Sequence, residues 1–135
     1  MTDKTMSISN QVKYLKTLNG ITWILAGISD IFSGAIPSTL ASIFLIISLV
    51  LQLKVSLSKK ESDDEMSIDN KIKAGAMTQS IMHIIFCTAA VVLFALTRFP
   101  NLHIDWKNLI VPVFFIFIGI EYIIWGLSFK KLEEE

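Results

Sequence analysis

Two stretches of this chain, residues 31–53 and 74–97, contain no Asp, Glu, Lys or Arg. A helix needs about 20 predominantly apolar residues to cross the roughly 30 Å hydrocarbon core of a bilayer. Both stretches are long enough. Charged residues are 18% of the 135, against about a quarter in a soluble domain, and they cluster in the gaps between apolar runs. A soluble globular enzyme, a disulfide-knit secreted scaffold and a disordered chain are therefore excluded. The length allows one domain.

Hydropathy predicts an all-α, polytopic membrane domain over residues 1–135. Its four transmembrane helices lie at about 18–35, 39–57, 74–97 and 109–129. Backbone polar groups in hydrocarbon must be satisfied internally, which leaves helices or a closed barrel. Barrel strands alternate apolar and polar residues. Runs such as Ile43-Phe44-Leu45-Ile46-Ile47 and Val113-Phe114-Phe115-Ile116-Phe117-Ile118 do not. Ile36, Pro37 and Ser38 join the first two helices, and so short a link predicts an antiparallel hairpin, with Pro37 in the first turn of the second helix. The last two helices form the other hairpin. Between the hairpins, residues 58–73 read as a charged, solvated loop, with Met66 and Ile68 offering the alternative of a short interfacial helix.

Orientation follows from lysine. Ten basic residues fall on the side of the termini and the 58–73 loop; Arg98 and Lys107 are the two on the other. Basic loops stay in the cytoplasm, so both termini are expected there, in a multi-pass protein of a cell membrane of bacterial plasma-membrane type. Tyr14, Trp106 and Trp125 sit near helix ends, where amphipathic rings anchor at the membrane interface. Ser33-Gly34-Ala35 has the small-x-small form of a signal-peptidase site. Asp30 interrupts the apolar run before it and a second run follows directly, so the first helix is read as retained.

Ionisable side chains within membrane helices cost about 2.5–3.5 kcal/mol on insertion scales, so each needs a partner or a purpose. The candidates are Asp30, His83 and Glu121, with Gln79 beside them. At a rise of about 1.5 Å per residue, His83 and Glu121 share a depth of about 13–15 Å from the cytoplasmic end, and Asp30 lies about 21 Å up, in the outer half. At 100° per residue, Asn19, Trp23, Gly27, Asp30 and Gly34 share one stripe of the first helix, and Ala76, Gln79, His83, Ala90 and Thr97 one of the third. These stripes are expected to face the bundle interior. Gly20, Gly27 and Gly34 recur every seven residues, and Gly119 and Gly126 share a face of the fourth helix. Small residues of this kind let membrane helices approach closely. Pro112 is expected in the first turn of the fourth helix.

Catalytic and cofactor motifs are absent. The chain has no Gly-rich phosphate loop, no His-Glu-x-x-His and no Gly-x-Ser-x-Gly, so no enzyme and no cofactor are expected. Single Cys87 in an apolar run reads as a core hydrophobe and excludes an internal disulfide. His103 with Asp105 reads as a solvated loop pair, not a metal site. Zero net charge without a basic stripe argues against nucleic acid as a partner. Expected partners are the bilayer and a second membrane protein or another copy of the chain. Two functions fit: an accessory, immunity-type or structural component acting through protein or lipid contacts, or a small proton- or cation-coupled transporter working as an oligomer.

Overall fold

A computed structural model describes residues 5–32, 34–99, 101 and 105–134. The regular structure of the described residues is helical, with one isolated bridge between Met6 and Lys60. Helix α1 (Ile8–Val12) runs directly into a π-helical segment, Lys13–Leu18, and then into α2 (Asn19–Ile31). Helices α3 (Ala35–Leu57), α4 (Glu65–Leu96) and α5 (Trp106–Glu134) follow. Of these, α3, α4 and α5 are long and apolar enough to cross a membrane. The chain is thus membrane-embedded. The 13 residues of α2 rise only about 20 Å, and the π segment and α1 extend its helical path.

The helices stand in an open row, α3–α2–α5–α4. Helix α2 packs most extensively on α5 and next on α3, whereas α4 packs chiefly on α5. Register gives the directions. Gly20 lies against Gly119 and Ile123, and Gly27 against Pro112 and Ile116, so α2 and α5 run antiparallel. Asn19 meets Ser48, and Lys54 lies over the Tyr14 ring at 4.1 Å, so α3 runs back along α2. Asn70 bonds Glu133 at 2.8 Å and Phe86 meets Phe117 at 4.9 Å, so α4 and α5 are also antiparallel.

Glycine spacing explains why α2 and α5 form the axis. A Cβ on Gly20 would lie 2.6 Å from the Gly119 carbonyl oxygen, and one on Gly119 would lie 2.5 Å from that of Gly20. Each backbone occupies the space a side chain would need on the other. Gly126, seven residues further along α5, meets the Thr17 hydroxyl first and then the Thr17 backbone nitrogen, 3.1 Å from where its Cβ would be. In lipid, where apolar side chains gain little by leaving their solvent, such close backbone packing is a main source of association. The outer faces are correspondingly bare: Val91 is 68% exposed, Phe94 61% and Leu49 59%.

Several local expectations need correction. Gly34 is not a packing glycine of the first helix. The chain leaves α2 at Phe32, which is extended, and Gly34 turns with φ 125°, a left-handed conformation that disfavours side chains. Ile36, Pro37 and Ser38 belong to α3, with Pro37 in its first turn. The 58–73 segment is loop only to Asp64. The Asp64 carboxylate accepts the Ser67 N–H at 2.7 Å and caps α4, which therefore begins nine residues before Ala74 and contains Met66 and Ile68. Pro112 lies inside α5 rather than in its first turn, because the helix starts at Trp106. Buried there, its carbonyl approaches Gly27. On α4 the buried stripe is Ser67, Asn70, Ala74, Thr78 and Met82; Ala76, Gln79, His83, Ala90 and Thr97 are exposed. Small side chains outcompeted larger polar ones for the contact with α5. Cys87 is exposed too, not a core residue. His103 and Ser33 lie outside the described residues.

Candidate functional site

The polar residues of the apolar helices divide between two ends of the molecule. Gln79 and His83 of α4 and Glu121 of α5 line one cavity of about 510 Å³, and Lys16 of the π segment joins them. Its walls include Phe86 and Trp125, with Gly75, Thr78 and Met82 from the α4 face turned to α5. Asp30 lies elsewhere, in a cavity of about 730 Å³ near Asp105, Lys107 and Asn108. His83 and Glu121 are thus brought together, as their depths predict, and Asp30 is separate from both.

Lys16 is the component that sequence reading did not single out. Its position before the first apolar run marks it only as a flanking charge. In the fold its Nζ lies 4.8 Å from the Tyr122 ring centroid and 4.9 Å from that of Trp125. Cations over such rings gain about 0.5–2 kcal/mol, more where water is excluded. Glu121, next to Tyr122 and one turn before Trp125, acts electrostatically on the same ammonium. Among the described residues, no hydrogen bond engages the side chains of Lys16, Gln79 or Glu121. His83 Nε2 lies 3.7 Å from Cys87 Sγ. The cavity therefore presents one cation, one carboxylate, an amide and an imidazole.

Trp125 has a double role. It stacks on Phe129 at 5.7 Å, with rings 5° from parallel, and faces Lys16. Its indole Nε1 is 3.5 Å from where a Gly75 Cβ would be. Gly75 therefore has room for a methyl group, unlike Gly20 or Gly119. Tyr14 and Trp125 lie at the end shared by the termini, and Trp106 begins α5 at the opposite end. Beyond Phe86 the α4–α5 seam continues into a second cavity of about 420 Å³. Leu93 and Leu96 of α4 line it with Trp106, Val113 and Phe117 of α5, and its lining is wholly apolar.

A second polar group is buried between α2 and α3. The Asn19 side chain donates to the Leu15 carbonyl at 3.2 Å and accepts from the Ser48 hydroxyl, which in turn accepts from Gln52 at 3.4 Å. Thr22 donates to the Asn19 carbonyl at 2.6 Å. A π-helical turn shifts the helical hydrogen-bond register, and Asn19 supplies the Leu15 carbonyl with a donor there. This group serves packing between α2 and α3. Among the described residues, no three His, Cys, Asp or Glu side chains gather as a metal site. Comparison with known protein families, with curated proteins and with solved structures gave no match.

Proposed function

We infer that the chain is an integral membrane component that acts through contacts with a neighbouring membrane protein or a second copy of itself. In this reading it crosses a bacterial plasma membrane four times as two antiparallel hairpins, with both termini in the cytoplasm. The apolar run from Leu18 to Ile31, within the continuous helical path Ile8–Ile31, supports a fourth crossing. The lysine distribution supports the orientation.

The open row carries the reading. A closed four-helix bundle satisfies itself, whereas α3 here packs on α2 and the π segment and leaves Leu49, Val50 and Leu53 bare. A photoreactive residue at Leu49 or Val50, activated in native membranes, should give one discrete protein adduct. Lipid adducts alone at both positions contradict the reading.

The shared cavity of His83 and Glu121 favours a second reading, a proton- or cation-coupled transporter. Proton movement in reconstituted vesicles, lost in both Glu121→Gln and His83→Ala, would establish transport and displace the first reading. Equal flux in wild type and both variants would remove the second.

A further inference from the structure

The α4–α5 seam holds two cavities of opposite character that meet at Phe86. The first offers Lys16, Gln79, His83 and Glu121; the second is lined by apolar side chains alone. A polar compartment continuing into a purely apolar one, along one groove, fits an amphiphile. We propose that the seam binds a single phospholipid carrying a primary-amine headgroup, and this rests on the membrane reading above.

Charge selects the headgroup. Lys16 offers an ammonium held by Tyr122 and Trp125 with no hydrogen-bond acceptor among the described residues, and Glu121 offers a carboxylate with no donor. One cation and one anion in one cavity match a phosphate and an amine on a single molecule. The phosphate oxygens accept from Lys16 Nζ, and the ammonium donates to Glu121 and to the Gln79 carbonyl. Charge-assisted hydrogen bonds of this kind are the strong ones. A quaternary choline nitrogen has no N–H and makes neither bond with the carboxylate nor with the amide. An anionic lipid without an amine would leave Glu121 facing its phosphate.

Dimensions suit the tail. From His83 to Leu93 the helix rises about 15 Å, half the roughly 30 Å hydrocarbon core. A lipid whose headgroup sits beside Lys16 lies against Phe86, and its tail reaches Leu93 beyond the middle of the 74–97 span. Because α4 packs chiefly on α5, the seam opens sideways to the bilayer and the lipid needs no aqueous route.

The test reconstitutes the full chain in nanodiscs of equal phosphatidylethanolamine and phosphatidylcholine, and counts retained lipids by native mass spectrometry after mild extraction. One retained lipid is expected, with phosphatidylethanolamine preferred about tenfold. Glu121→Gln should bring that preference close to parity, and Lys16→Gln should reduce retention of both lipids. Leu93→Trp, which fills the tail cavity, should reduce retention while leaving the preference unchanged. Equal retention of the two lipids by the wild type, or an unchanged preference in Glu121→Gln, overturns the proposal. If the chain inserts and shows no preference, only the lipid site fails; if it does not insert, the membrane reading fails with it.

Discussion

At the end where α1 meets the last turns of α5, Ile8 and Val12 of α1 pack with Ala74 of α4 and Phe129 of α5, and Trp125 and Leu132 close over them. Ala74 is 0% exposed and Phe129 1%. The N-terminal arm is tied to the α3–α4 linker by a hydrogen bond from Met6 N–H to the Lys59 carbonyl at 2.7 Å. A second runs from Glu61 N–H to the Met6 carbonyl at 3.0 Å. The Glu61 carboxylate accepts from Ile8 N–H at 3.3 Å at the start of α1. This end is built as a small soluble protein is built, with apolar side chains inside and caps on its helices. The middle of the molecule is the reverse. Glycines and small polar residues fill the contacts there, and Val91, Phe94 and Leu49 face outward. The difference teaches what solvent each region meets, because burying apolar area stabilises only where the alternative is water.

The contrast breaks most readily at the glycine axis. Gly119→Val should separate α2 from α5, because the Gly20 backbone cannot move aside as a flexible side chain would. Overpacking of this kind costs about 1–3 kcal/mol, and disulfide cross-linking between cysteines at Trp23 and Phe115, whose rings meet across α2 and α5 at 5.2 Å, should fall sharply in a Cys87→Ser background. Gly75→Ala, where space exists, should leave the same cross-link intact.

A smaller effect is expected at the buried polar group. Asn19→Ala removes the partner of Ser48 and the donor to the Leu15 carbonyl. Hydrogen bonds between membrane helices average about 0.6 kcal/mol and reach about 1.7, so resistance to unfolding in mixed micelles should drop by an amount within that range. A loss of several kcal/mol would show that the network holds more than one helix pair.

The smallest effect belongs to the water-facing end. The Ser67 backbone N–H, with its hydroxyl, holds the Asp64 carboxyl below its ordinary value of 3.8. A depressed carboxylate contributes its stability above the ordinary value and loses it as pH falls through the lowered one. Amide exchange at Ser67 should therefore accelerate only in acid below that ordinary value, and Asp64→Asn should flatten the profile. Exchange in the middle of α5 should not respond.

Sequence made the apolar helices legible because hydrocarbon imposes a long, charge-free length. It also placed His83 and Glu121 at one level, since depth depends only on helical rise. Faces were less legible. On α4 the stripe through Gln79 and His83 is the more polar, yet Ser67, Ala74 and Thr78 take the contact because they let α5 come close. Lys16 joins the cavity through the long helical path leading into α2, which no local pattern announces. The cap at Asp64 was missed because the charges around it read as loop.

Spin labels at Val91 and Phe94, each in a Cys87→Ser background within liposomes, measure the solvent of the outer α4 face directly. Collision with oxygen should be frequent and collision with a water-soluble nickel chelate rare at both, with the opposite at Ser62. Frequent nickel collisions at Val91 and Phe94 would contradict a lipid-facing middle.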